Sequence, residues 1–216
     1  FTGREERYDF LQNRYSKEFN NAKSILDVGC DDNYLKKYYQ DKVFGIDVGG
    51  APDRVVDLEE EALYFISDNQ YDLTICTEVL EHIDNLHEVF ADLVRVTDGL
   101  IIISLPNTIS WGRLKRVLRK HRTGKFYGLP FTKPVDRHKW YFSYKEIVEF
   151  FEHNCQEKNL HLREVLYHYP VIYQQETRFL RRLKQQLQAK WVALRNDRNM
   201  AVSIFVMIDT RKPYES

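Results

Sequence analysis

Short apolar runs alternate with amphipathic stretches along the first half of the chain. Residues 25–28, 43–47, 71–76 and 100–104 are strand-length runs rich in Ile, Leu and Val, bounded by polar or glycine-containing turns. The last is almost wholly apolar, the pattern of a strand covered on both faces. Residues 54–57 read as a short third strand. Between the strands, residues 34–40 and 59–67 read as helices. Leu86, Val89, Phe90, Leu93 and Val94 form one apolar helical stripe that starts near Asp84-Asn85, a candidate N-cap. Upstream, Tyr8, Leu11, Tyr15 and Phe19 recur at helical spacing within residues 4–20. Downstream, Ser143 and Glu146 have the spacing of a capping box for a helix through residue 151. Residues 162–169 and 201–208 read as strands. Strands alternating with helices predict an α/β fold: a doubly wound, mostly parallel seven-stranded sheet, with helices on both faces and right-handed crossovers.

Ligands of such sheets bind beyond the carboxyl ends of the strands. Asp27, Asp47, Asp57, Thr77 and Asn107 all stand there. Asp27 precedes a turn at Gly29, and Asp47 follows it by 20 residues. That is the layout of a nucleoside-binding βαβ unit, in which the second acid holds ribose hydroxyls. A pyrophosphate needs a turn free of nearby negative charge. Here Asp27, Asp31 and Asp32 crowd it, repelling phosphate and attracting a cation. A ligand with ribose, no phosphate and a positive charge is S-adenosylmethionine.

Length and composition set further bounds. A chain of 216 residues with 43% hydrophobic and 30% charged positions has the size and balance of a single globular domain. No apolar run approaches the ~20 residues of a membrane span and no signal-peptide pattern is visible, which predicts a cytoplasmic protein. Cys30, Cys76 and Cys155 lack metal spacing and read as buried, reduced thiols. The net charge of zero conceals a division: residues 1–110 hold 10 Lys/Arg against 22 Asp/Glu, and residues 111–216 the reverse, 22 against 10. A basic second half suits an anionic acceptor or surface.

With these motifs in order, the chain resembles the class I S-adenosylmethionine-dependent methyltransferases, of the small type-11 sort, over about residues 24–151 and the final strand. The first motif is Asp27-Val28-Gly29-Cys30, the second Gly45-Ile46-Asp47 and the third Val56-Asp57-Leu58. The fourth-strand motif runs from Tyr71 to Glu78, Glu81 and His82. Leu105-Pro106-Asn107 and Arg137-His138 through Phe142-Ser143 follow. The resemblance implies a Rossmann-like sheet whose last strand is antiparallel. It also implies S-adenosylmethionine as cofactor, with Asp27, Gly29, Cys30, Asp31, Asp47, Val48, Asp57, Leu58 and Thr77 around it. Asp47 would accept the ribose hydroxyls, and Asp57 with Leu58 would flank the adenine. Asp31 and Asn33 stand where the family usually has glycine, which leaves open a degenerate, non-catalytic binding or scaffold protein. A nicotinamide oxidoreductase is opposed by the acidic turn.

The sulfonium is already a good leaving group, so the protein must chiefly align acceptor and methyl. A hydroxyl acceptor also needs a base. His138 is the favoured candidate, with His82 as the other, and Asn107, Arg113, Trp140 and Tyr141 would line the acceptor side. Glu78, Glu81 and His82, joined by His138, form a candidate set for a hard divalent ion. It resembles the metal sites of small-RNA 2′-O-methyltransferases and ubiquinone-pathway O-methyltransferases, although the same string is common in relatives without metal. Residues 108–142 read as a substrate-side insertion or lid, and residues 176–198 as a basic amphipathic helix insertion, within one domain over 1–216. Residues 113–125 carry seven Lys/Arg and no acid. These features predict a small polar or glycan acceptor, O-methylation of a saccharide or its nucleotide- or lipid-linked form, and peripheral contact with an anionic membrane. Nucleic acid is the least favoured partner. Oligomeric state is not legible.

Overall fold

The apolar runs pair into one seven-stranded sheet in the order β3-β2-β1-β4-β5-β7-β6, in a computed structural model that describes residues 3–121, 123–124, 126–134, 136–169, 198–211 and 213. The strands are β1 (Ile25–Val28), β2 (Val43–Asp47), β3 (Arg54–Val55), β4 (Tyr71–Thr77), β5 (Thr97–Pro106), β6 (His161–His168) and β7 (Ser203–Asp209). β1 to β5 run parallel, and β7 lies antiparallel between β5 and β6. Strand order reverses between β1 and β4, and this is where an open α/β sheet leaves a crevice at its carboxyl ends.

The period-two alternation of each strand divides the core. Leu26, Val28, Ile101, Ile103, Val206 and Ile208 face α4 (Leu86–Val96) and α6 (Tyr144–Glu157). Ile25, Leu73, Ile75, Ile102, Phe205 and Met207 face α1 (Arg4–Arg14) and α2 (Ser16–Asn21). The stripe Tyr8, Leu11, Tyr15 and Phe19 is buried along its whole length, which ties α1 and α2 to the sheet. The helix expected over 4–20 breaks at Tyr15, whose backbone leaves the helical region. α6 begins with the expected capping box and continues past residue 151 to Glu157.

The helix expected over 59–67 does not form. Only a single 3-10 turn, Leu63–Phe65, is present. Its backbone is claimed from outside: Leu63 N–H donates to Asp92 at 2.9 Å, and Arg95 donates to the carbonyls of Leu63 and Ile66, each at 2.9 Å. Those side chains take groups that an α-helix would need for itself. The helix over 34–40 shrinks to α3 (Lys36–Tyr39). Asn85 does begin α4, but its side chain donates to Leu58 O at 2.7 Å instead of capping. All three cysteines are buried free thiols. The described residues of 108–142 contain α5 (Trp111–Lys120) and otherwise irregular chain. The basic helix expected over 176–198 lies outside the described residues, except for Arg198. Among the described residues no helix is long and apolar enough to cross a membrane.

Candidate active site

The turn after β1 keeps its shape without the expected glycines. Asp31 and Asn33 both adopt left-handed backbone, at φ 52° and 53°. Asp and Asn tolerate that region better than other non-glycine residues, because their short side chains bond locally. Both do so here. Asn33 Nδ2 donates to Ala51 O at 2.8 Å, and the Asp31 carboxylate pairs with Arg4 at 2.5 Å. Asp31 N–H donates to Asp47 Oδ2 at 2.8 Å, and Gly49 N–H donates to Asp47 Oδ1 at 3.0 Å. Asp47 therefore holds the first turn to the end of β2. At Gly29, φ +79°, a Cβ would sit 2.2 Å from Val79, so a glycine is required.

Above this turn opens a cavity of about 600 Å³, within the size range of cofactor sites. Gly29, Asp31, Asp47, Val48, Asp57 and Leu58 line it, six of the nine residues expected around a cofactor. The other three lie behind the lining. Cys30 is buried against Gly45, and Thr77 is buried at the end of β4. Asp27 is buried on the α1 side, where Tyr8 OH donates to its Oδ1 at 3.1 Å. Among the described residues neither the second oxygen of Asp27 nor the buried Nε of Arg7 has a hydrogen-bond partner. Burial pushes the Asp27 carboxyl up to about 7, against the lowering effects of Tyr8 and Arg7 and with a further push from Asp47. Arg4 and Arg7 of α1 also line the cavity. The sequence reading missed them, though Arg4, Arg7 and Tyr8 share the i, i+3, i+4 spacing of one helix face.

At the far side of the cavity the chain leaves β4 through Glu78, which takes φ +56°, and enters a 3-10 turn, Leu80–His82. That geometry separates the four expected metal ligands. Glu78 turns away, its Oε1 accepting from Ser203 Oγ at 2.9 Å and Ser104 Oγ at 3.4 Å. Glu81, His82 and His138 converge, each offering a donor atom within 4.8 Å of the others. Glu81 is fully buried, yet neither carboxylate oxygen has a hydrogen-bond partner among the described residues. Burial, followed by the charge of Glu78, holds its carboxyl well above the usual range.

The two imidazoles are oriented from behind. His82 Nδ1 lies 2.6 Å from Asp136 Oδ1 and 3.1 Å from Arg137 O, while Nε2 lies 3.7 Å from Glu81. His138 Nδ1 lies 2.9 Å from Tyr127 OH, whose oxygen also lies 3.1 Å from Trp140 O and 3.3 Å from Thr108 Oγ1, so its single proton has a choice of acceptors. The ring of Phe126 packs 4.2 Å from that of His138. Neither Asp136 nor Tyr127 was picked out from the sequence; only proximity to the His138 segment marked them.

The expected acceptor-side residues separate. Asn107 is buried and donates to Ala201 O at 2.9 Å, clamping strand ends together. Trp140 Nε1 donates to Ile83 O at 2.6 Å, which pins the His138 segment to the turn that bears Glu81. Tyr141 stacks on Tyr127 at 4.0 Å and is otherwise exposed. Arg113 lies on α5; burial pushes the Tyr127 hydroxyl pKa up, and the hydrogen bond to Thr108 and the charge of Arg113 offset part of that rise. None of these four lines the cavity; Lys139, Arg137 and Asp136 do.

The residues fit a nucleoside at the β1 turn: a close-approach glycine and an acid at the end of β2. They also fit a divalent ion at Glu81, because two imidazoles and a carboxylate are a common three-ligand donor set with positions left open.

A family model described as a methyltransferase domain matches residues 2–154. No curated protein matches the chain in sequence. Solved structures share its fold at low identity. An S-adenosylmethionine-dependent methyltransferase from Archaeoglobus fulgidus is 15% identical, covers 97% of this chain and 96% of its own, and has a TM-score of 0.59. The methyltransferase domain of bacterial CtHen1-C is 16% identical over 95% of this chain and 97% of its own, at 0.56. Magnesium protoporphyrin IX methyltransferase from Synechocystis, with SAH bound, is 13% identical over 95% and 82%, at 0.54.

Proposed function

The chain belongs to the methyltransferase-domain family, and on that premise we propose that it is an S-adenosylmethionine-dependent O-methyltransferase assisted by a divalent cation at Glu81, His82 and His138. Its acceptor is a hydroxyl on a small polar molecule, a saccharide or its nucleotide- or lipid-linked form.

One observation carries the cation: a fully buried carboxylate, with neither oxygen hydrogen-bonded among the described residues, beside two oriented imidazoles. Buried carboxylates are otherwise hydrogen-bonded or paired. When bound, the cofactor supplies an activated methyl group, and the cation supplies a Lewis acid that makes a coordinated hydroxyl easier to deprotonate. Asp47 is suited to the ribose hydroxyls, and Leu58 and Val48 to apolar contact with the base. Asp136 and Tyr127 fix the ring orientations of His82 and His138. Arg137 lines the cavity, which suits an acceptor that carries oxygens, while Lys139 beside it is paired with Glu59 and Asp84. The saccharide class rests on Arg137 and on the excess of cations in the second half of the chain. The degenerate reading loses its main support, since Asp31 and Asn33 keep the turn that glycine would make.

A metal-free variant of this reading is favoured by the Tyr127–His138 bond, which would also orient a general base. Calorimetric titration with S-adenosylmethionine and SAH, with and without magnesium, separates the readings. Micromolar binding is expected, with His138→Ala keeping that affinity and losing turnover. No binding by a folded protein would overturn the methyltransferase reading. Full transfer activity in the presence of EDTA would leave His138 as a base without a cation.

A further inference from the structure

Among the described helices α5 is the least buried and the most sharply divided. It leaves the carboxyl end of β5, the sheet end at which the cavity opens, and runs ten residues without burying one of them. Trp111, Leu114 and Leu118 lie on a single face by their i, i+3, i+7 spacing, and they are 54%, 38% and 66% exposed. Arg113, Lys115, Arg116, Arg119 and Lys120 make up half of the helix, and it holds no acid. None of the five forms an ion pair with a described residue. Ile109 just before the helix and Leu129 and Phe131 after it are exposed as well.

A soluble helix turns its apolar stripe to the core and its charges to water. This one offers both to the surroundings. We propose that α5 is a peripheral docking helix that seats the enzyme on an anionic lipid bilayer. Apolar side chains would enter the acyl boundary, and the flanking Arg and Lys would extend their heads to lipid phosphates, the arrangement of interfacial amphipathic helices. Charge complementarity selects an anionic surface over a zwitterionic one. Exposed aliphatic side chains select a bilayer over nucleic acid, whose phosphates would need the cations but give Leu114 and Leu118 no partner. The segment is also coupled to the site, because Tyr127, downstream of α5, bonds both Thr108 and His138. The docking surface does not depend on the acceptor proposed above, and its test needs no turnover.

The test is flotation of the full chain with vesicles of phosphatidylcholine alone and of phosphatidylcholine with phosphatidylglycerol in equal parts. Binding to the anionic vesicles is expected to exceed binding to the neutral ones by at least about tenfold and to fall as NaCl rises from about 0.1 to 0.5 M. Replacing Trp111 and Leu118 together by Ser should lower anionic binding by about tenfold or more. Arg116→Glu with Arg119→Glu should abolish the preference. SAH affinity, measured on the same variants, should not change and shows that they are folded. Trp111 emission should shift to the blue on anionic vesicles, and Trp111→Phe should remove that shift. Equal binding to both vesicle types, binding unaffected by the paired Ser variants, or tight binding to single-stranded RNA with none to vesicles would each overturn the proposal.

Discussion

Asp136 Oδ1 lies 2.6 Å from His82 Nδ1, so the proton of that imidazole is directed at the carboxylate and Nε2 is left toward Glu81. A carboxylate behind a histidine fixes its tautomer and raises its basicity as a ligand. Asp136→Asn should weaken divalent-cation binding by about 10- to 100-fold and leave SAH affinity unchanged. Calorimetric titration with manganese and, separately, with SAH checks both halves.

Glu81→Gln should abolish cation binding, because it removes the only anionic ligand of the set. Its effect on stability has the opposite sign. Burial raises the folded-state pKa of Glu81, so ionisation at high pH works against the fold. Without cation, Glu81→Gln should match the parent protein in acid and melt higher at alkaline pH. A lower melting temperature at every pH would mean that the carboxylate has a structural partner.

Asp47→Ala removes the acceptor for both Asp31 N–H and Gly49 N–H. Hydrogen bonds to a charged group contribute about 1.5–3 kcal/mol each. S-adenosylmethionine affinity should therefore fall by at least about tenfold. Unchanged affinity would place the ribose elsewhere.

Asp27 sets a pH dependence. Its folded pKa is raised to about 7. The neutral carboxyl favours the fold, and this contribution is complete below the unfolded carboxylate pKa and is lost as pH rises through about 7. Tyr8 and Arg7 on α1 and Asp47 on β2 are the groups that face it. Urea denaturation of the protein without ligand should show stability falling across that window. Asp27→Asn should flatten the fall, by a few kcal/mol at most.

Much of the fold was legible because strand burial is written locally. Residues 25–28 and 43–47 had to be strands, since their apolar content ran out at acids and turns. The capping box at Ser143 and Glu146 was legible for the same reason, as both partners lie within one turn. The helix over 59–67 failed because Asp92 and Arg95, about thirty residues downstream, take its backbone groups. No local pattern carries that information.

The sequence by itself determined the succession of strands, the acid-bearing turn at Asp27 and Gly29, the second acid at Asp47 and the division of charge between the halves. These follow from side-chain period and from residue types at fixed spacing. Tertiary structure alone decided which candidates meet. Glu78 and Glu81 are three residues apart, yet a left-handed backbone at Glu78 sends one carboxylate to Ser203 and leaves the other buried beside His82. His138, more than fifty residues away, joins Glu81 because Trp140 and Lys139 pin its segment to Ile83 O and Glu81 O. Such convergence depends on long-range hydrogen bonds between segments whose separation along the chain says nothing of their separation in space.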